Sequence, residues 1–204
     1  MRSSVFIALA AMLCAGPAFG STIATFADPS TGSATPLFTV NTALGTVTGG
    51  WDDSKSGLTL IFPLTGNTYT NAFFILTNLA YSGTNSGGTT GPGAVSFYKD
   101  GEPVAAVGPL FMIEFASAQV SLSGLGGDDV FTLNDITLSG RELAGMMFEE
   151  EQFSFSFGNL KALPNKTGYT ATASMTSSAI MTPEPMTIGL LAFGIGILTI
   201  AKKK

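Results

Sequence analysis

The chain has 204 residues, enough for one domain with short appended segments. Hydrophobic residues make up 45% of it, but charged residues only 11%, where roughly 25% is usual. It has no His and a single Cys, which excludes the commonest zinc sites, the Ser-His-Asp triad, the Cys-His dyad and any internal disulfide framework. A net charge of −5 leaves no electrostatic footprint for nucleic acid.

Residues 1–20 combine Arg2 near the amino terminus, an 11-residue apolar stretch over Val5–Ala15, and a break at Gly16-Pro17. Ala18-Phe19-Gly20 then offers small residues at the −3 and −1 positions of a cleavage site. This is the layout of a secretory signal peptide, and it is too short to span a bilayer. Signal peptidase is therefore expected to cut between Gly20 and Ser21. Cys14 suggests a lipoprotein, but the bulky Leu13 before it and the site further downstream speak against lipidation.

The body, residues 21–181, holds five basic residues against thirteen acidic ones, a net charge of −8. Trp51, the only Trp, follows Gly49-Gly50 and reads as packing or as a sugar-stacking face. Asp52-Asp53-Ser54-Lys55-Ser56-Gly57 resembles the start of a calcium loop, but its twelfth position is Pro63 and not the required Glu, so a turn explains it better. Leu58–Phe62 and Phe73–Thr77 are dense apolar runs suited to inner strands. Ser82–Gly93 is low in complexity and predicts a long flexible loop. Val95–Lys99 and Glu102–Val107 flank Asp100-Gly101, the dipeptide of a two-residue hairpin, with Pro103 placing the return strand at an edge.

In Phe111–Phe115 the period of two puts Phe111, Ile113 and Phe115 on one face and Glu114 outside. Gly124–Asp129 echoes a glycine- and aspartate-rich calcium turn, with Asp128 and Asp129 as candidate ligands. Such sites need stacked copies and only one is present, so a plain turn is preferred. Ser139-Gly140-Arg141-Glu142 fits a capping box and predicts one short helix through Met147. Glu149-Glu150-Glu151 reads as a solvated charge run before a strand. Phe153–Phe157 and Tyr169–Met175 alternate apolar and polar residues as half-buried strands do. Between them Asn165-Lys166-Thr167 is a formal glycosylation sequon.

Short strands between recurrent turn signals predict an all-β body, a β-sandwich or jelly roll. The phenylalanines, 16 in all, read as its core. The body is flanked by the signal peptide and by a different kind of segment at 182–204. There Pro183-Glu184-Pro185 precedes Met186–Ala201, sixteen residues without a charge, and then Lys202-Lys203-Lys204. Such a segment predicts a single transmembrane helix whose lysines stay in the cytoplasm, leaving the body outside.

A Pro-Glu-Pro motif, one apolar helix and a basic end at the C-terminus, together with a signal peptide, resemble the PEP-CTERM sorting signal. The resemblance covers about a tenth of the chain, and departs from the family in having Lys where Arg is commoner and Met186 where a small residue is commoner. It implies recognition by an exosortase that processes the tail near Pro183, Glu184 and Pro185. It also implies a bacterium that makes an extracellular polysaccharide matrix. The body is thus expected to pass through an inner-membrane-anchored intermediate and to end at the cell surface or in the matrix. Two functional readings follow. One is a non-catalytic envelope or matrix protein needing no cofactor. The alternative is a secreted carboxylate-dependent hydrolase, or a carbohydrate-binding module using Trp51, acting on matrix polysaccharide.

Overall fold

The computed structural model describes residues 20–26, 37–51, 57–122 and 130–181. Among them eleven strands form one antiparallel sheet: β1 (Ser21–Phe26), β2 (Phe38–Asn41), β3 (Thr46–Gly50), β4 (Leu58–Phe62), β5 (Asn67–Thr84), β6 (Gly87–Thr90), β7 (Gly93–Lys99), β8 (Phe111–Ser121), β9 (Val130–Ser139), β10 (Phe148–Ala162) and β11 (Gly168–Met181). A helical turn, α1 (Val104–Val107), and two 3-10 turns, Arg141–Leu143 and Pro164–Lys166, complete the described elements. The all-β expectation holds.

The pairings return on themselves. From β5 they run through β7, β8, β9, β10, β11, β1 and β4 back to β5. A second circuit from β5 uses β6 in place of β7, and β2 and β3 in place of β1 and β4. Eight strand positions therefore surround the core, three of them filled by two short strands end to end. Closure leaves few unpaired edges to recruit a foreign strand. The 18-residue β5 serves both circuits because it bends. Its register shifts opposite Leu58/Leu60 and Val47/Gly49, and each shift inserts an extra residue and added twist.

Alternation sorts the side chains. Phe153, Phe155 and Phe157 of β10 and Tyr169, Ala171, Ala173 and Met175 of β11 point inward, with Ser and Thr between them facing out. Phe38 touches the rings of Phe74, Phe131, Phe155 and Phe157 at centroid distances of 4.8–5.8 Å. Phe74 continues through Phe97 and Phe111 to Phe62. One aromatic chain thus spans the interior, each ring worth about 1.5–3 kcal/mol when taken out of water. Glu114 is exposed, as its register required.

Two expectations about the connections between strands fail here. Ser82–Gly93 is not a flexible loop: it contains the end of β5, a turn at 85–86 and all of β6. Gly83 and Gly88 within it are there for close approach. A Cβ on Gly83 would lie 2.5 Å from the Gly88 Cα, and one on Gly88 would lie 2.4 Å from the Ser82 carbonyl oxygen. The Asp100-Gly101 turn forms, with Gly101 at φ 79°, but no return strand follows it. Both sides of β7 are already taken by β5 and β8, so Val104–Val107 coils into α1 instead.

Antiparallel pairing puts both chain ends of the body at one end of the sheet. Ser21 stands opposite Ala179, and Phe148 opposite Met181. β1 is fixed by more than its ladder: Ser177, fully buried, accepts from the Ala24 amide at 3.0 Å and donates to the Ala24 carbonyl at 3.1 Å. The opposite, distal end is closed by three turns. Thr42 N donates to the Thr167 carbonyl at 2.8 Å, and Asn85 Nδ2 to the Lys166 carbonyl at 2.7 Å.

Candidate functional site

The polar cluster of the structure lies at the end where β1 begins and β11 leaves. The predicted capping box does not form there. Ser139 closes β9 with its hydroxyl buried and unpartnered, Gly140 occupies the cap position, and only one 3-10 turn follows. Glu142 is consequently free to reach sideways. Its carboxylate accepts from Asn67 Nδ2 at 2.8 Å, from Thr65 Oγ1 at 3.2 Å and from the Tyr69 hydroxyl. Those three donors sit on the β4–β5 turn and the first residues of β5, more than seventy positions away in sequence. Beside them Arg141 pairs with Glu102, which also meets Lys99 at 3.5 Å.

Burial alone would raise the Glu142 carboxyl, but the bonds from Asn67, Tyr69 and Thr65 and the Arg141 charge pull it below its ordinary value. Burial, and then the bond to Glu142, push the Tyr69 hydroxyl up to about 12. The cluster therefore holds an anion at neutral pH and fills its lone pairs with the chain's own donors. Chemically that makes a clip between the 3-10 turn and the β4–β5 hairpin. Neither Tyr69 nor Asn67 is legible in the sequence as a site residue, since only the fold brings them to Glu142.

At the distal end an open groove of about 450 Å³ lies between Leu122, Leu160, Ala162 and Tyr169, rimmed by Asn85 and Lys166. Its size suits a small ligand, but its walls offer few converging polar groups. Trp51 is only 5% exposed, and its amide donates to the Phe74 carbonyl at 2.9 Å. Its ring is core packing, and no sugar can stack on it. Glu149 and Glu151 lie within β10, not ahead of a strand. Glu149 is exposed, while Glu151 turns back to accept from the Leu138 amide at 3.2 Å. The Asn165–Thr167 sequon forms part of the distal turn, with Asn165 exposed at φ 60°.

Of the residues singled out in the sequence, Gly20 begins the described body and Ser21 opens β1. Ala18, the Asp52–Ser56 stretch, Asp128 and Asp129, the motif Pro183, Glu184 and Pro185, and Lys202, Lys203 and Lys204 lie outside the described residues. Among the described residues no three Asp, Glu, His or Cys side chains gather as a metal ion requires. No helix among them is long and apolar enough to cross a membrane. No protein family, curated protein or solved structure matches this chain.

Proposed function

We propose that this chain is an exported, non-catalytic β domain, sorted through Pro183-Glu184-Pro185 for processing by an exosortase. Its role is that of a structural or binding component of the bacterial envelope or extracellular matrix. The observation that carries the reading is the tail itself: a Pro-Glu-Pro motif, sixteen uncharged residues and three lysines in succession. Two features of the body support it. β1 opens at Ser21, so the first strand begins directly after the expected cleavage point. β11 runs to Met181, so the motif follows the last strand almost at once.

The finer fold reading belongs to this proposal: the closed sheet is flattened, and its two halves pack inner face to inner face as in a β-sandwich or jelly roll. The hydrolase alternative loses ground because Glu142 and Glu102, the two acids of the polar cluster, spend their oxygens on Thr65, Asn67, Tyr69, Arg141 and Lys99. The reading is tested by the intact mass of the protein from its native host, with fractionation into membrane, periplasm and medium. A surface or medium species beginning at Ser21 and ending near 183–185 is expected. A membrane species that still carries Lys204 as its final form would reduce the tail to a plain anchor.

A further inference from the structure

Residues 103–110, Pro-Val-Ala-Ala-Val-Gly-Pro-Leu, contain no polar side chain, and Pro103 to Val107 are exposed at every position. α1, within this run, buries no residue at all. A helical turn that is apolar all round and also exposed is not stabilised by the core, and such runs on a surface mark a contact. Nor does the topology require it. β7 and β8 are direct neighbours, Phe97 opposite Phe111, and a two-residue turn would join them. Instead the chain makes an excursion over 100–110.

That excursion belongs to the end from which the body leaves. Arg141 N donates to the Pro109 carbonyl at 3.2 Å, and Glu142 N to the Leu110 carbonyl at 3.1 Å. The segment they open leads to Phe148, which stands opposite Met181. On that segment Met147 is 59% exposed, adding apolar surface to the same rim. From Met181 to the uncharged run at Met186 the chain can reach at most roughly 17 Å, even fully extended.

We propose that the Pro103–Val107 turn rests in the headgroup layer of a lipid bilayer while the tail is anchored. The inference rests on reading 186–201 as the membrane segment. Charge does not drive the contact, because Lys99 and Arg141 are both paired with Glu102. Apolar insertion does, and a zwitterionic surface suffices. Two valines and two alanines bind weakly alone, so contact depends on the high local concentration that the tether imposes.

The test uses the chain expressed for export, carrying Cys14→Ser, purified from membranes and reconstituted in phosphatidylcholine vesicles. An environment-sensitive dye is placed by Ala106→Cys, or by Leu44→Cys at the distal tip, where Leu44 is 74% exposed. Dye at 106 is expected to shift to the blue, gain about twofold in emission and be quenched by brominated lipid. Dye at 44 should show none of this. Adding Val104→Asp and Val107→Asp should abolish the shift while the chain still floats with the vesicles. A floating chain whose two positions are equally wet overturns the contact and spares the anchor. A chain that does not float overturns the anchor, and the contact falls with it. Dye at 106 that is shielded without lipid, in a particle of doubled mass, would assign the turn to a second copy and overturn the lipid contact.

Discussion

Glu142 shows how one side chain can be misread from its neighbours in sequence and explained by its neighbours in space. Three residues after Ser139 it has the spacing of a capping box. Its oxygens go to Thr65, Asn67 and Tyr69 because the β4–β5 turn sits beside it. The clip has a definite pH signature. Its folded carboxyl lies below the ordinary value of 4.5, so the clip's full stabilisation is present above that value. It drains away as pH falls through the lower folded value. At the alkaline side Tyr69 is raised from 10.0 to about 12, so its share is intact below 10 and lost as pH climbs through 12. Because the cluster is only half-buried and solvent still screens it, Glu142→Gln is expected to cost about 1 kcal/mol or less. Chemical denaturation at several pH values checks this: the gap between the two proteins should be constant near neutrality and shrink in acid.

The strands that alternate cleanly, Phe153–Phe157 and Tyr169–Met175, are legible in the sequence because the period of two survives wherever one face is buried. β5 is legible only in part, since its bulges break that period twice and its ends are polar. The hairpin of β5 and β6 is hidden for a sharper reason. Gly and Ser in series look like a flexible linker, but here Gly83 and Gly88 face each other across a ladder with no room for a side chain. Gly91, just past the end of β6, is different: a methyl placed there would meet nothing within 4 Å. Gly88→Ala should therefore destabilise by about 1–3 kcal/mol, as overpacking does. Gly91→Ala should be neutral or stabilise by up to about 1 kcal/mol. Thermal unfolding of the two variants separates a ladder from a loop, in which both changes would act alike. The Asp100-Gly101 turn is legible, but its sequel is not. Strand propensity in Glu102–Val107 has no free sheet edge on which to express itself.

Taken as a molecule, the body is a closed antiparallel wall around a single aromatic filling, and composition already points there: many Phe, few charges, abundant Ser and Thr. What no composition reveals is the order in which strands meet, or that the polar cluster and both chain ends share one rim. Closure also makes the core common property. Phe38, fully buried against rings contributed by β5, β9 and β10, is expected to cost about 3–5 kcal/mol on change to Ala. Spectroscopic probes in β5 and β11 should lose structure at one denaturant midpoint, because no part of the wall has a filling of its own.

The seating of β11 between β10 and β1 has a mechanical consequence. A pull between a fixed tail and the distal turns would run along β11 lengthwise, sliding it in shear against β10, with many rungs resisting at once. A pull that parts the two ends of the body would instead peel β1 from β11 rung by rung, beginning at Ser21 and Ala179. The same fold is thus tough against drag on its outer tip and weak against forces that spread its base.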